Sequence, residues 1–138
     1  MKKYIKISFL YAVLAMASGV FYREFTKFND FTAKTALSVT HFHLFVLGTI
    51  VLLIIGLLAE RSNLEAVKTF RPAMIVYHIG LPFMVAMFYV RGILQVLGSD
   101  LSQAADLAVS GVAGIGHVLM ATGIVLLFVS LMKAEYRK

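Results

Sequence analysis

Residues 36–59, ALSVTHFHLFVLGTIVLLIIGLLA, decide the fold of this protein. The run is apolar over the ~20 residues that a helix needs to cross a bilayer. Two histidines, His41 and His43, lie close to its start. An imidazole at bilayer depth is costly unless something binds it, so an ionisable residue in a span indicates a functional site. The first question is therefore what these two rings bind.

The composition of the chain is that of a membrane protein. Of its 138 residues, 60% are hydrophobic and 14% are charged, and the mean hydropathy is +0.87. Soluble domains carry about 25% charged residues. The length has room for four spans of ~20 residues and for no separate soluble domain. We therefore predict an all-α, integral membrane four-helix bundle, a single domain over residues 1–138 in contact with the lipid bilayer.

Four apolar runs predict the spans, at about residues 4–22, 36–59, 72–97 and 105–132. Most of the basic residues flank one side of these spans, and they are Lys2, Lys3, Lys6, Arg61, Lys68, Arg71, Lys133, Arg137 and Lys138. Cytoplasmic loops carry an excess of Lys and Arg. We therefore expect a multi-pass protein of the bacterial inner (cytoplasmic) membrane with both termini in the cytoplasm.

The charge and the missing cysteine exclude several functions. The net charge of +6 does not indicate nucleic-acid binding, because the basic residues flank apolar runs and form no single stripe. Without cysteine, the chain has no disulfide, iron–sulfur cluster, thiolate zinc site or covalent c-type haem. No hydrolytic set of nucleophile, base and acid lies at bilayer depth. Any catalysis would be the redox chemistry of a bound cofactor.

Four of the five histidine and arginine residues inside the predicted spans lie at a similar depth. At ~1.5 Å per residue, His41, His43, Arg91 and His117 all fall in the outer half of the membrane, and His78 lies nearer the cytoplasmic end. On a regular helix His41 and His43 point about 200° apart, so they cannot chelate one metal from the same face. We expect one to face the bundle interior and the other a hydrogen-bond partner or a second subunit.

Small residues beside these histidines predict room for a flat group. Gly114 shares a helical face with His117, and Gly48 follows His41 by seven residues. A porphyrin needs such space where its plane approaches a backbone.

Two arginines complete the expected site. Arg91, with Arg23 just outside the membrane, would pair with haem propionates that point to the outer surface.

The coincidence of depth predicts a b-type haem with His41 or His43 and His117 as axial ligands. Such a site would serve electron transfer, quinol oxidation with a quinone partner, or binding of haem or a gas. Helix faces of small residues predict a homodimer. Two alternatives stay open: a copper carrier or channel that uses these histidines, His78 and methionine, and a cofactor-free assembly or structural subunit in which the histidines only tie helices together.

Two motifs carry a resemblance. His41-Phe42-His43 with Gly48, and residues 78–82 (HIGLP), resemble small four-helix bacterial membrane proteins related to subunit I of haem–copper oxidases. The chain also resembles an uncharacterised family of short proteins with Phe-Tyr-Arg-Glu-Phe after the first helix, here residues 21–25. In the oxidases, a histidine followed seven residues later by glycine on the second helix is a ligand of the low-spin haem. The resemblance implies this role for His41, matched by Gly48.

Overall fold

The structure, a computed structural model, describes residues 1–136, and the described chain is all-α. Its elements are α1 (Lys2–Phe28), α2 (Leu37–His43), a π-helical segment (Leu44–Val51), α3 (Leu52–Glu60), a 3₁₀ turn (Leu64–Ala66), α4 (Phe70–Val96) and α5 (Gln103–Lys133). The predicted flanking cations Arg137 and Lys138 lie outside the described residues.

Four helices are long and apolar enough to cross a membrane, which confirms the predicted all-α chain with four candidate spans. They are α1, the continuous helix Leu37–Glu60 (called the second span below), α4 and α5. Large apolar side chains face outward on them, such as Phe9 with 68% and Phe128 with 61% of its surface exposed. Apolar patches of this kind on a soluble monomer are unusual, whereas lipid covers them in a bilayer. These features are typical of a multi-pass membrane protein.

The first helix is longer than the apolar run that predicts it. Hydropathy indicates which residues can lie inside a membrane, and a helix can continue beyond them. It continues to Phe28. The Thr26 hydroxyl donates to the Tyr22 carbonyl (2.9 Å), and the Asn29 amide donates to the Phe25 carbonyl (2.8 Å). Both bonds add a side-chain donor to carbonyls in the last turns of the helix.

Helix α4 lies at the centre of the arrangement, and α5 packs along it. Glycines allow their backbones to approach closely. A Cβ atom on Gly80 would lie 2.9 Å from the Met120 backbone nitrogen, and one on Gly123 would lie 3.0 Å from backbone atoms of Tyr77. Residues larger than glycine at these positions would push α5 away from α4.

The second span packs against α1 through two tyrosine rings. A Cβ atom on Gly48 would lie 2.5 Å from Cγ of Tyr11, and one on Gly56 would lie 2.7 Å from Cβ of Tyr4. The two glycines therefore accept the tyrosines of α1.

The π-helical segment of the second span is anchored to α4. The fully buried Tyr77 donates its hydroxyl to the Leu47 carbonyl inside the segment (2.8 Å). π-Helical turns are rare and often lie at functional sites. Here the segment starts directly after His43, at the histidine pair that the sequence singles out.

Candidate functional site

Two of the predicted histidines meet on one phenylalanine of the central helix. The His43 ring, from the second span, lies 4.8 Å from the Phe88 ring of α4, centroid to centroid. The His117 ring, from α5, lies 5.6 Å from the same ring. Both contacts are edge-to-face, a favourable geometry for aromatic pairs. His43 and His117 thus share one aromatic neighbour, and the three residues are called the His43–Phe88–His117 cluster below.

Both histidines of the cluster place the same nitrogen, Nδ1, against a carbonyl of their own helix. Nδ1 of His43 lies 2.8 Å from the Val39 carbonyl, and Nδ1 of His117 lies 3.0 Å from the Ala113 carbonyl. A carbonyl only accepts, so each Nδ1 carries the proton and donates it. The neutral ring then has its lone pair on Nε2. A histidine that ligates a metal typically donates its other ring N–H to a carbonyl or carboxylate in this way.

The surroundings of His117 are open. Its side chain is exposed, and a Cβ atom added to Gly111 or Gly114 would meet nothing within 4 Å. The backbone beside His117 is thus part of the open outer surface of α5, and its predicted contact with a flat group stays a prediction. In a bilayer this surface requires a cover, since an imidazole in lipid is costly.

His41 faces a different neighbour from His43. Its Cβ and Cγ atoms lie 3.8 Å from the position of a Cβ on Gly19 of α1, and its Nδ1 is buried without a hydrogen-bond partner. The divergence that the two-residue spacing predicts is confirmed, and the ring that meets His117 on Phe88 is His43.

The space expected beside Gly48 is filled. Carbon atoms of the Tyr11 ring lie within 2.7 Å of the position of a Cβ there, so no flat group fits against this backbone. Gly48 serves the packing of α1, which corrects its predicted part in a porphyrin site. The seven-residue spacing from His41 also no longer marks one face, because the intervening π-helical turns are wider than α-helical ones.

Arg91 links α4 to α5 on the face that carries the cluster. Its guanidinium donates to the Ser110 hydroxyl (2.8 Å) and lies 3.4 Å from the Asp106 carboxylate. Arg91 follows Phe88 by three residues, which places both on one helical face.

Arg23 lies apart from this arrangement. It pairs with Glu24 of its own helix at 3.6 Å, and both side chains are largely exposed. Its predicted role beside Arg91, in binding haem propionates, stays a prediction.

His78 is bound by a side chain of another helix. Its ring stacks on the Tyr11 ring with an interplanar angle of 7°, and its Nδ1 lies 3.5 Å from the Tyr11 hydroxyl. The Tyr77 ring stands edge-on to it at 6.1 Å. The role of His78 visible here is to join α4 to α1.

Residues 1–136 contain no cluster of three histidine or carboxylate side chains that is suited to a metal ion.

The central residue of the cluster was not among the predicted site residues. Phe88 is an ordinary aromatic residue of an apolar span, and only its spacing of three from Arg91 marked it in the sequence. Met84 and Met87, just before it, form a Met-x-x-Met pair that bears on the copper alternative. Met84 is buried, with 2% of its surface exposed.

The family model described as Protein of unknown function (DUF2871) matches residues 1–134. The chain belongs to this family. No curated protein and no solved structure matches the chain. This match confirms that the chain resembles an uncharacterised family. A relation to haem–copper oxidases is not part of what the comparisons find.

Proposed function

We propose that this protein holds a b-type haem in the outer half of the membrane, with His43 and His117 as its two axial ligands. The observation that supports this proposal most is that the two imidazole rings have the same hydrogen bond and the same aromatic neighbour. Each Nδ1 donates to a carbonyl four residues earlier, and both rings contact Phe88. Each ring therefore carries its lone pair on Nε2, and the two rings stand on different helices with one phenylalanine as their shared neighbour.

The residues around the cluster divide the remaining tasks. Phe88 contacts both rings and gives the site an apolar floor. Gly111 and Gly114 leave the backbone of α5 open to a flat group. Arg91, held by Ser110 and Asp106, supplies a cation that attracts a carboxylate such as a propionate. A bound haem would supply one-electron transfer or a site for a gas.

The proposal includes a membrane orientation and a homodimer. The basic flanks predict cytoplasmic termini in a bacterial inner membrane, which puts the cluster in the outer half. His117 is exposed on α5. A second copy that packs there would shield the ring from lipid, and the open glycines favour close helix contact.

The test is an absorption spectrum of the protein purified in detergent, recorded before and after dithionite, together with metal analysis. The proposal predicts a Soret band that shifts on reduction, sharp α and β bands, and iron. A colourless protein that does not bind added haem would overturn it. Copper in place of iron would favour the copper alternative, in which histidine and methionine bind the metal. The absence of both would favour a structural or assembly subunit.

A further inference from the structure

A groove lies at the opposite end of the molecule from the cluster, between the start of α1 and the start of α4. Its volume is about 590 Å³. Most of its wall is apolar, and these side chains are Ile7, Phe70, Met74, Ile75 and Ile79. We call it the α1–α4 groove. It has no part in the haem proposal, since neither His43 nor His117 lines it.

The mouth of the groove is charged, and its single acidic group is already neutralised. Lys3 lies 2.7 Å from the Glu65 carboxylate, and the Tyr4 hydroxyl donates to the same carboxylate at 2.7 Å. These hydrogen bonds, from Lys3 first and Tyr4 second, lower the pKa of Glu65. Glu65 therefore stays ionised at neutral pH, and its charge is balanced by Lys3.

Arg71 is the cation that remains at the mouth. It is exposed, and within residues 1–136 it forms no ion pair with an Asp or Glu. It is the second residue of α4, whose first turn contains no acidic residue. The positive end of the helix dipole adds to its charge. The mouth therefore attracts an anion next to an apolar wall.

We propose that the α1–α4 groove binds one anionic phospholipid, with its phosphate at Arg71 and part of an acyl chain along Ile75 and Ile79. Arg71 lies where the third span begins, at headgroup depth when the span crosses a bilayer. The guanidinium fork matches phosphate geometry. Basic pockets between transmembrane helices bind anionic headgroups. From Arg71 to Ile79 the wall extends about 12 Å along α4, which accommodates part of a chain and not only a headgroup.

The charge balance favours this occupant over a neutral lipid. A zwitterionic headgroup would bring its own cation next to Arg71 and Lys3. An anionic lipid brings only the charge that the mouth lacks.

Native mass spectrometry of the full chain, titrated with phosphatidylglycerol and with phosphatidylcholine of identical chains, tests the proposal. We expect at least about tenfold tighter binding of phosphatidylglycerol, because the choline cation of phosphatidylcholine offsets the phosphate charge beside Arg71. Arg71→Gln should abolish this preference. Lys68→Gln is the matched control, since it removes the same charge from the same connection and Lys68 does not line the groove. Ile75→Trp, at an exposed wall position, should weaken binding of both lipids by narrowing the groove.

Three results would overturn the proposal. They are equal binding of the two lipids by the unaltered chain, equal loss of preference in Arg71→Gln and Lys68→Gln, and full competition by glycerol 3-phosphate, which would indicate a site for soluble phosphate. If Arg71→Gln does not yield folded protein, Arg71→Lys replaces it. A lysine keeps the charge without the guanidinium fork, so a reduced but persistent preference is expected, and an unchanged one would contradict the assigned contact.

Discussion

The histidines of the His43–Phe88–His117 cluster and His78 differ in what holds the ring. In the cluster, each Nδ1 donates to a carbonyl of its own helix, so the ring is oriented without using a neighbouring helix. His78 stacks on Tyr11 of α1, and its Nδ1 faces the Tyr11 hydroxyl. A carbonyl only accepts, so it fixes the proton of each cluster ring on Nδ1 and leaves the lone pair on Nε2, whereas the Tyr11 hydroxyl can donate to or accept from Nδ1 of His78. The contacts of His78 join two helices. Under the proposed function, we expect ligand binding at the cluster and helix packing at His78.

The largest effect expected from this comparison is the loss of haem on removing a ligand. His117→Ala should abolish the Soret band, because the second axial donor is gone. His78→Ala, the matched control, should keep a band of unchanged position. The measurement is the haem-to-protein ratio of detergent-purified variants. Equal loss in both variants would erase the distinction between the two kinds of histidine.

Removing the floor of the cluster should have a smaller effect. Phe88→Ala takes away both edge-to-face contacts, each worth about 0.5–1.5 kcal/mol. We expect haem affinity to fall by about tenfold or more in a haem titration, with both ligands still present. Phe45→Ala, an exposed phenylalanine of the second span, is the control and should leave the affinity unchanged. An unaffected Phe88→Ala variant would mean that the ring only fills space.

The Tyr11–His78 contact should affect stability and not the cofactor. Tyr11→Phe keeps the ring against Gly48 and removes the hydroxyl that faces His78. We expect a loss of about 0.5–1.5 kcal/mol in unfolding free energy, with an unchanged haem spectrum. Tyr22→Phe at the end of α1 serves as the control in denaturant titrations. A shifted Soret band in Tyr11→Phe would connect His78 to the cofactor and contradict its packing role.

The smallest effect concerns Glu65, outside the spans. Its pKa lies below the ordinary value of 4.5 because Lys3 and Tyr4 donate to the carboxylate. A lowered pKa in the folded state stabilises the protein above pH 4.5, and this contribution is lost as the pH falls through the lower folded-state pKa. The pair is about half exposed, so the contribution is below about 1 kcal/mol. Glu65→Gln should remove this part of the pH dependence of unfolding, while Glu60→Gln should not.

The four helices were predictable because a run of about 20 apolar residues has few other stable forms. Their ends were less so, as α1 shows, because its final turns are held by Thr26 and Asn29 and not by hydropathy. The divergence of His41 and His43 followed from helical geometry alone.

The residues that contact each histidine could be identified only from the tertiary structure. Periodicity says which way His41 and His43 point relative to each other, and not which neighbour lies there. Gly48 illustrates the limit, because a glycine signals a close approach in the sequence but does not say whether a porphyrin or Tyr11 makes it. Phe88 could not be singled out among the chain's 11 phenylalanines without the packing of α4.

The most direct test of the central claim compares the two histidines of the His-x-His pair, His41 and His43. Haem content is measured for His43→Ala and His41→Ala, expressed and purified side by side. The His43–Phe88–His117 cluster predicts that His43→Ala loses the haem and that His41→Ala retains it. Loss in His41→Ala with retention in His43→Ala would contradict the assignment and make His41, against Gly19 of α1, the ligand.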